Sequence, residues 1–341
     1  MRKIKFGIVG LGRIGKIHLN NLLQINDADV IAVMDTNLDA HQFAKKKGIL
    51  NIYDSYENFL SNEEIEAVVI CSPTDSHAEF VSLAAKKGKH IFCEKPLDLS
   101  LDRVIEVLEI IKQTNVKLML GFNRRFDKDF AKLKALFDQG AIGEHHLLKI
   151  TSRDPKAPPL DYIKKSGGLF LDMTIHDFDM ARFVVNKEVE EVYAKGAVFI
   201  NPKIGSVGDI DTAVIVLTYK DGTIAVIDNS REASYGYDQR IEIFGSKGML
   251  KAENNLIDSH KLYTVEGTKA SNPLYFFLER YAEAFKKEME SFISALENKS
   301  NIPVNGDDGL QSLLIGLAAI KSYQEKRPVN LAEMNQLLIL K

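Results

Sequence analysis

A short apolar run ending in three spaced glycines constrains this chain more than any other feature. Ile4 to Val9 reads as a buried strand, Gly10-x-Gly12-x-x-Gly15 follows it, and a helical pattern begins at once. Asp35 stands at the end of the next apolar run, about 20 residues beyond Gly15, where a dinucleotide fold places its ribose-binding acid. In that arrangement the first glycine permits a tight turn and the second lets backbone approach a pyrophosphate. The third lets helix and strand pack closely, and phosphate oxygens lie against unpaired N–H groups at the helix start. The alternative is an ordinary glycine-rich turn, but strand, helix and distal acid together favour NAD. Gly10 to Lys16 also fits a nucleotide-triphosphate loop, yet Ile17 stands where that loop needs a magnesium-binding hydroxyl. Gly10, Gly12, Arg13, Ile14, Gly15, Asp35 and Thr36 are the expected contacts around this turn.

The rest of the composition narrows the partners. At 341 residues the chain is long enough for two domains, and its formal net charge of −3, with Lys and Arg dispersed, predicts no nucleic-acid partner. No apolar run approaches the ~20 residues of a membrane span. The N-terminus carries Arg2, Lys3 and Lys5, but the run Ile4 to Val9 is too short for a signal peptide. Cys71 and Cys93 cannot build a disulfide framework and are expected to be reduced, which points to the cytoplasm.

Strand and helix patterns alternate up to about residue 122. Strands are predicted at Ile4–Val9, Val30–Met34, Ala67–Cys71, His90–Cys93 and Val116–Leu120, with helices between them such as His77–Lys87 and Leu101–Thr114. Alternation of this kind predicts a parallel sheet with right-handed crossovers, whose ligands bind outside the carboxyl ends of the strands. Asp35, Ser72, Lys95 and Asn123 all stand just past such ends. The second half reads as strands with polar alternation at Leu147–Thr151, Glu190–Phe199, Ala213–Tyr219, Thr223–Asp228 and Arg240–Phe244. Turns at Lys220–Thr223 and Ser246–Gly248 suggest an antiparallel sheet open on one face, and helical patterns follow at Tyr275–Glu297 and Asp307–Glu325. The expected architecture is therefore α/β: an N-terminal Rossmann domain, residues 1–122, and a C-terminal α/β domain, residues 123–341, with an open, mostly antiparallel sheet. Arg153–Gly168 reads as a flexible loop inside the second domain.

Three further segments could carry chemistry. Cys71-Ser-Pro-Thr-Asp-Ser-His77 follows the third predicted strand. Pro73 and Thr74 would turn the chain and cap a helix, and the position makes Ser72, Pro73, Thr74 and His77 candidate cofactor contacts. Glu94-Lys95-Pro96 sets a lysine just past a central strand, where it could stabilise an alkoxide formed as hydride leaves; a surface lysine beside a capping glutamate is the plain alternative. In Gly167–Asp179, one helix would place Asp172, His176 and Asp179 on a single face, with Met173, Met180, Ala181 and Val184 opposite. An Asp one turn from a His can orient the imidazole and raise its basicity. The alternatives are a solvated acidic face or zinc, for which no third ligand has clear spacing, so no metal is expected. His145-His146 reads as a surface pair, and Met119 and Met173 as core.

Taken together, Gly10-x-Gly12-x-x-Gly15, Glu94-Lys95-Pro96, Gly121-Phe-Asn-Arg-Arg125-Phe and Asp172-x-x-x-His176-Asp177 resemble the Gfo/Idh/MocA oxidoreductase family. Gly168–Arg182, Tyr235–Arg240, Arg280–Met289 and Asp307–Leu310 point within it to enzymes acting on inositols. The resemblance spans nearly the whole chain. It implies Lys95, Asp172 and His176 as the catalytic set, with Glu94 and Asn123 among the cofactor contacts. It also implies that Arg125, Asp154, Asp179 and Tyr235 line a polyol site, and that the open sheet makes the contacts of a homo-oligomer, usually a tetramer.

The expected reaction is NAD-dependent oxidation of a ring hydroxyl of myo-inositol. His176 or Lys95 takes the proton first; a catalytic base works best near the operating pH, which suits His without adjustment. Asp35 would repel the 2′-phosphate of NADP, although Arg13 and Lys16 lie close by in sequence. The rival readings are a relative acting on scyllo-inositol or another sugar or polyol, and a non-catalytic dinucleotide-binding protein.

Overall fold

The computed structural model describes residues 2–334 and divides them into two compact units. The first joins residues 2–123 to 284–311, and the second joins 124–283 to 312–334. The sequence reading placed everything after residue 122 in the second domain; in the structure residues 284–311 return to the first.

The first unit is a parallel six-stranded sheet. Its strands are β1 (Ile4–Val9), β2 (Ala28–Met34), β3 (Asn51–Tyr53), β4 (Ala67–Ile70), β5 (His90–Cys93) and β6 (Leu118–Leu120), in the order β3-β2-β1-β4-β5-β6. This is the doubly wound order, which reverses direction between β1 and β4 and opens a crevice there. Helices α1 (Arg13–Leu22), α2 (Leu38–Lys46), α3 (Tyr56–Leu60), α4 (Thr74–Lys86) and α5 (Leu101–Thr114) make the connections. The central strands are apolar because both faces are covered: Phe6, Ile8, Val68, Val69, Ile91, Phe92 and Met119 are fully buried. Phe292, from the returning segment, closes against Phe6 and Phe92 at ring-centroid distances of 6.3 and 6.0 Å. Edge strand β3 was not expected; three residues with one aliphatic side chain give no periodic signal.

A helical turn at Asn123–Phe126 follows β6, and the second unit continues with α6 (Lys128–Asp138), capped by Asp127. It is built on a mixed sheet of β7 (His145–Arg153), β8 (Val189–Ala197), β9 (Thr212–Tyr219), β10 (Ile224–Ser230), β11 (Asp238–Gly245) and β12 (Gly248–Ala252). Lys220–Thr223 is the hairpin turn expected, with Gly222 at φ +82°, and Ser246-Lys247 joins β11 to β12. The consecutive order implied by those turns does not hold throughout. β7 lies between β11 and β10 and runs parallel to β10, because the long excursion through α7 (Leu160–Ile163), α8 (Gly168–Asp172) and α9 (Ile175–Val185) separates it from β8. Residues of β7, β9 and β10 alternate, so Leu148, Ile150, Ile215, Leu217, Ala225 and Ile227 face the core.

The pattern read over Tyr275–Glu297 is two helices. Short helices α10 (Pro202–Ser206) and α11 (Phe277–Arg280) precede α12 (Ala282–Leu296), and α13 (Gly306–Glu325) follows. A two-stranded ribbon, β13 (Lys261–Thr264) with β14 (Gly267–Ala270), stands exposed, and β15 (Val329–Asn330) pairs with β8. Among the described residues no helix is long and apolar enough to cross a membrane.

Candidate active site

The glycine turn has the geometry its spacing requires. Gly10 adopts φ +84°, and a Cβ there would meet the Cys71 carbonyl at 2.8 Å. A Cβ on Gly15 would lie 1.9 Å from the Gly10 carbonyl oxygen, so helix and strand meet there without room for a side chain. A Cβ on Gly12 would meet nothing within 4 Å. The second glycine thus faces open space rather than protein, as a pyrophosphate cradle demands. No side chain caps α1 and its first turn carries no acid, whereas Asn37, Ser55 and Asp127 cap α2, α3 and α6. The α1 N-terminus therefore keeps its positive end for an anion. These features fit NAD.

Asp35 is tied into the same turn. Its Oδ2 accepts the Leu11 N–H at 2.6 Å and its Oδ1 accepts the Asn37 N–H at 2.8 Å. The carboxylate is locked to the loop it would complete, and each oxygen keeps a lone pair for a ribose hydroxyl. Thr36 beside it is exposed, as is Arg13.

Beyond β4, Pro73 occupies the N-cap position of α4 and Thr74 is its first residue; no side chain accepts a capping hydrogen bond, contrary to the expectation for Thr74. Ser72 Oγ lies 2.6 Å from Ser76 Oγ. Buried His77 spans two loops, with Nδ1 2.8 Å from the Pro96 carbonyl and Nε2 2.8 Å from that of Ser72. In the described structure it pins the segment after β4 to the one after β5, and so supports the chain beside Lys95. Lys95 is half-buried and its peptide bond to Pro96 is cis. Asn123 is buried just beyond β6.

Glu94 turns inward. Its Oε1 is 2.7 Å from His18 Nε2, and a Cβ on Gly121 would strike its Oε2 at 2.9 Å. Glu288 Oε1 is 3.8 Å from the same His18 nitrogen. His18, Glu94 and Glu288 form a grouping of metal-type donors. Burial, and then the Glu94 charge, push the Glu288 carboxyl well above the carboxylate range, and neither of its oxygens has a hydrogen-bond partner among the described residues. A proton on Glu288 would relieve the repulsion between the two buried carboxyls. Burial also raises both free thiols, Cys71 and Cys93, so neither is an activated nucleophile.

In the second unit the expected single helix through Asp172, His176 and Asp179 is interrupted. α8 ends at Asp172 and α9 starts at Ile175, with Met173 and Thr174 turning between them. Thr174 Oγ1 bonds both the Leu169 carbonyl at 3.2 Å and Asn229 Oδ1 at 2.6 Å, which fixes the break. The acids then find different partners. Asp172 Oδ1 accepts the Tyr162 hydroxyl at 2.8 Å and its Oδ2 faces Arg231 Nη1 at 3.3 Å. Asp177 takes Arg124 at 2.5 Å and Asn229 at 2.9 Å. Asp179 takes Arg125. Met173, Met180, Ala181 and Val184 are buried, as is Met119, in keeping with their reading as core. His176 is half-buried at the start of α9.

Asp154 follows β7 directly, and its N–H donates to the Ser230 carbonyl at 2.9 Å. Burial, and then the charge of Asp172, push its carboxyl up to about 7. Tyr235 hydroxyl donates to Asp238 at 2.6 Å and accepts from Arg153 at 3.0 Å. Arg153 also pairs with Asp228. His145, read as surface, is buried instead: Lys187 Nζ approaches its Nδ1 at 3.2 Å, and burial lowers it to about 4. His146 is exposed.

Tyr162, Asp209 and Arg231 were not singled out from sequence. Arg231 stands one residue past the carboxyl end of β10, a position that could have flagged it. Tyr162 lies in the Arg153–Gly168 segment, which folds around α7 rather than remaining a plain loop. Asp209 carries no comparable signal.

Residues 4–122 match the oxidoreductase family with an NAD-binding Rossmann fold, and residues 130–251 match the GFO/IDH/MocA C-terminal domain. The chain belongs to the GFO/IDH/MocA family of oxidoreductases. It is 49% identical to the myo-inositol 2-dehydrogenase of Thermotoga maritima over 97% of this chain and 99% of that protein. It is 47% identical to the inositol 2-dehydrogenase of Rhizobium meliloti, covering 96% and 99%. The crystal structure of scyllo-inositol dehydrogenase from Lactobacillus casei with NAD(H) and scyllo-inositol is 34% identical, with a TM-score of 0.91 over 97% of this chain and 100% of that one.

Proposed function

We propose that this protein oxidises myo-inositol to 2-keto-myo-inositol, with NAD as the acceptor. The observation that carries the reading is the near-full-length identity of 49% and 47% to two proteins named for oxidation of inositol at that position. When bound, NAD supplies the hydride acceptor. The backbone of Gly10–Gly15 and the uncapped start of α1 hold its pyrophosphate, and Asp35 takes the adenosine ribose hydroxyls. The segment Ser72–Thr74 and Asn123 complete the cradle at the strand ends.

As the substrate carbon loses hydride, its hydroxyl must lose a proton. His176 accepts it, directly or through Asp172. Asp172 orients the imidazole, and Lys95 stabilises the negative charge growing on the oxygen. Arg125, Asp154, Asp179 and Tyr235 serve the remaining hydroxyls. A second reading, oxidation of scyllo-inositol, is favoured by the 34% identity to the Lactobacillus casei enzyme. A panel of myo-inositol, scyllo-inositol, glucose and other polyols, read by NADH absorbance, tests both. Highest kcat/KM on myo-inositol is expected; activity on none of them would overturn the proposal.

The protein acts in the cytoplasm as a homotetramer, in inositol breakdown. Support for assembly comes from the outer face of the second unit's sheet, where Val214, Ile224 and Phe244 are exposed. Light scattering on the eluted protein should give four times the chain mass.

A further inference from the structure

We propose that Arg231 is a positioning residue that fixes the catalytic carboxylate of Asp172; the inference rests on the role given to Asp172 above. Arg231 is fully buried and aims its two terminal nitrogens at two carboxylates, Nη1 at Asp172 Oδ2 and Nη2 at Asp209 Oδ2, each at 3.3 Å. Asp209 reaches in turn to the helix that bears Asp172. Its Oδ1 accepts the Leu169 N–H at 2.9 Å, and a Cβ on Gly168 would lie 2.7 Å from that oxygen. Leu169 and Asp172 are one turn apart in α8. The bonds therefore close a ring: Leu169 amide, Asp209, Arg231, Asp172, and back along α8. Tyr162 holds the other oxygen of Asp172 at 2.8 Å, so the carboxylate is gripped on both sides.

The Arg231 backbone is anchored separately, its N–H donating to the Asp211 carbonyl at 2.8 Å. Its Nε is buried with no hydrogen-bond partner among the described residues. A buried donor left unmet is destabilising, so this guanidinium is not arranged for stability alone. Its orientation serves the two carboxylates. A residue of this kind acts through Asp172 and needs no contact with substrate.

The test is steady-state oxidation of myo-inositol by NAD in Arg231→Met, Arg231→Lys, Tyr162→Phe and Asp172→Asn, alone and with Arg231→Lys in the Asp172→Asn background. Loss of a supporting partner is expected to lower kcat about 10–100-fold, with the KM for NAD unchanged. Arg231→Lys keeps the charge and should recover part of the loss. Because Tyr162 is half exposed, Tyr162→Phe folds and should lower kcat even if Arg231→Met does not fold. In the Asp172→Asn background, Arg231→Lys should have no further effect. Wild-type kcat in Arg231→Lys and Tyr162→Phe, or a full additional loss in the double variant, would overturn the inference. Wild-type kcat in Asp172→Asn would instead overturn the catalytic role of Asp172.

Discussion

Arg125 grips Asp179 with two parallel bonds, Nε to Oδ2 at 2.8 Å and Nη2 to Oδ1 at 2.5 Å, in a nearly buried setting. The guanidinium also lies over the Phe183 ring, 4.8 Å from its centroid. The pair ties the segment after β6 to α9. Any hydroxyl that meets either residue meets a preformed ion pair, whose geometry fixes where donors and acceptors point. Asp179→Ala leaves a buried guanidinium without its carboxylate, so a loss of about 3–5 kcal/mol is expected in urea denaturation. A loss below about 1 kcal/mol would mean that the pair is solvent-screened and weak.

The three glycines should fail in different ways. In Gly15→Ala the new methyl meets a backbone carbonyl, so the melting temperature should fall, with a cost of about 1–3 kcal/mol. In Gly12→Ala the methyl enters open space, so the fold should be unaffected while NAD affinity drops tenfold or more, a loss of about 1.4 kcal/mol. Calorimetry and NAD titration on both variants separate the two roles. Unchanged NAD affinity in Gly12→Ala would remove the pyrophosphate from this turn.

Much of the fold is legible in the amino-acid sequence itself. The Rossmann half announces itself because parallel strands buried on both faces read as unbroken apolar runs, and because Gly10, Gly12 and Gly15 each answer a separate steric demand. Asp35 lies where its distance from them predicts, its carboxylate bonded to the Leu11 N–H of the same turn. The second half was harder. Hairpin turns such as Lys220–Thr223 mark neighbours, but nothing local says that β7 inserts between β10 and β11. The break at Met173–Thr174 was hidden because it depends on Asn229, 55 residues away, bonding Thr174. Arg231 and Asp209 were missed for the same reason: their meaning comes from partners distant in sequence.

The role proposed for Asp35 is to set the cofactor preference. Its carboxylate would face the ribose hydroxyls of NAD and repel the extra phosphate of NADP. Asp35→Ser should raise the KM for NAD about tenfold or more, since hydrogen bonds to a charged acceptor contribute about 1.5–3 kcal/mol. The NAD-to-NADP ratio of kcat/KM should fall with it. An unchanged ratio would show that other groups make the choice.

Asp154 makes stability depend on pH. Its carboxyl titrates at about 7 in the fold, against an ordinary value of 3.8. Below the ordinary value both states are protonated and burial is free of charge cost. As pH rises to about 7 the unfolded chain releases its proton first, so this group's stabilising effect is lost across that window. Asp154→Asn should therefore gain stability over wild type at pH 8, by on the order of a few kcal/mol at most, and little at pH 4. An equal gain at both would show that the group does not titrate in this range.

The most direct test of the account is the rate of NADH formation from myo-inositol and NAD by the wild-type protein and by His176→Ala, with NAD binding measured on both by fluorescence titration. The wild type is expected to turn over. His176→Ala should lose turnover by about 100-fold or more, as expected when a general base is removed, while binding NAD normally. Turnover at the wild-type rate in His176→Ala, with NAD still bound, would contradict the chemistry assigned to this site.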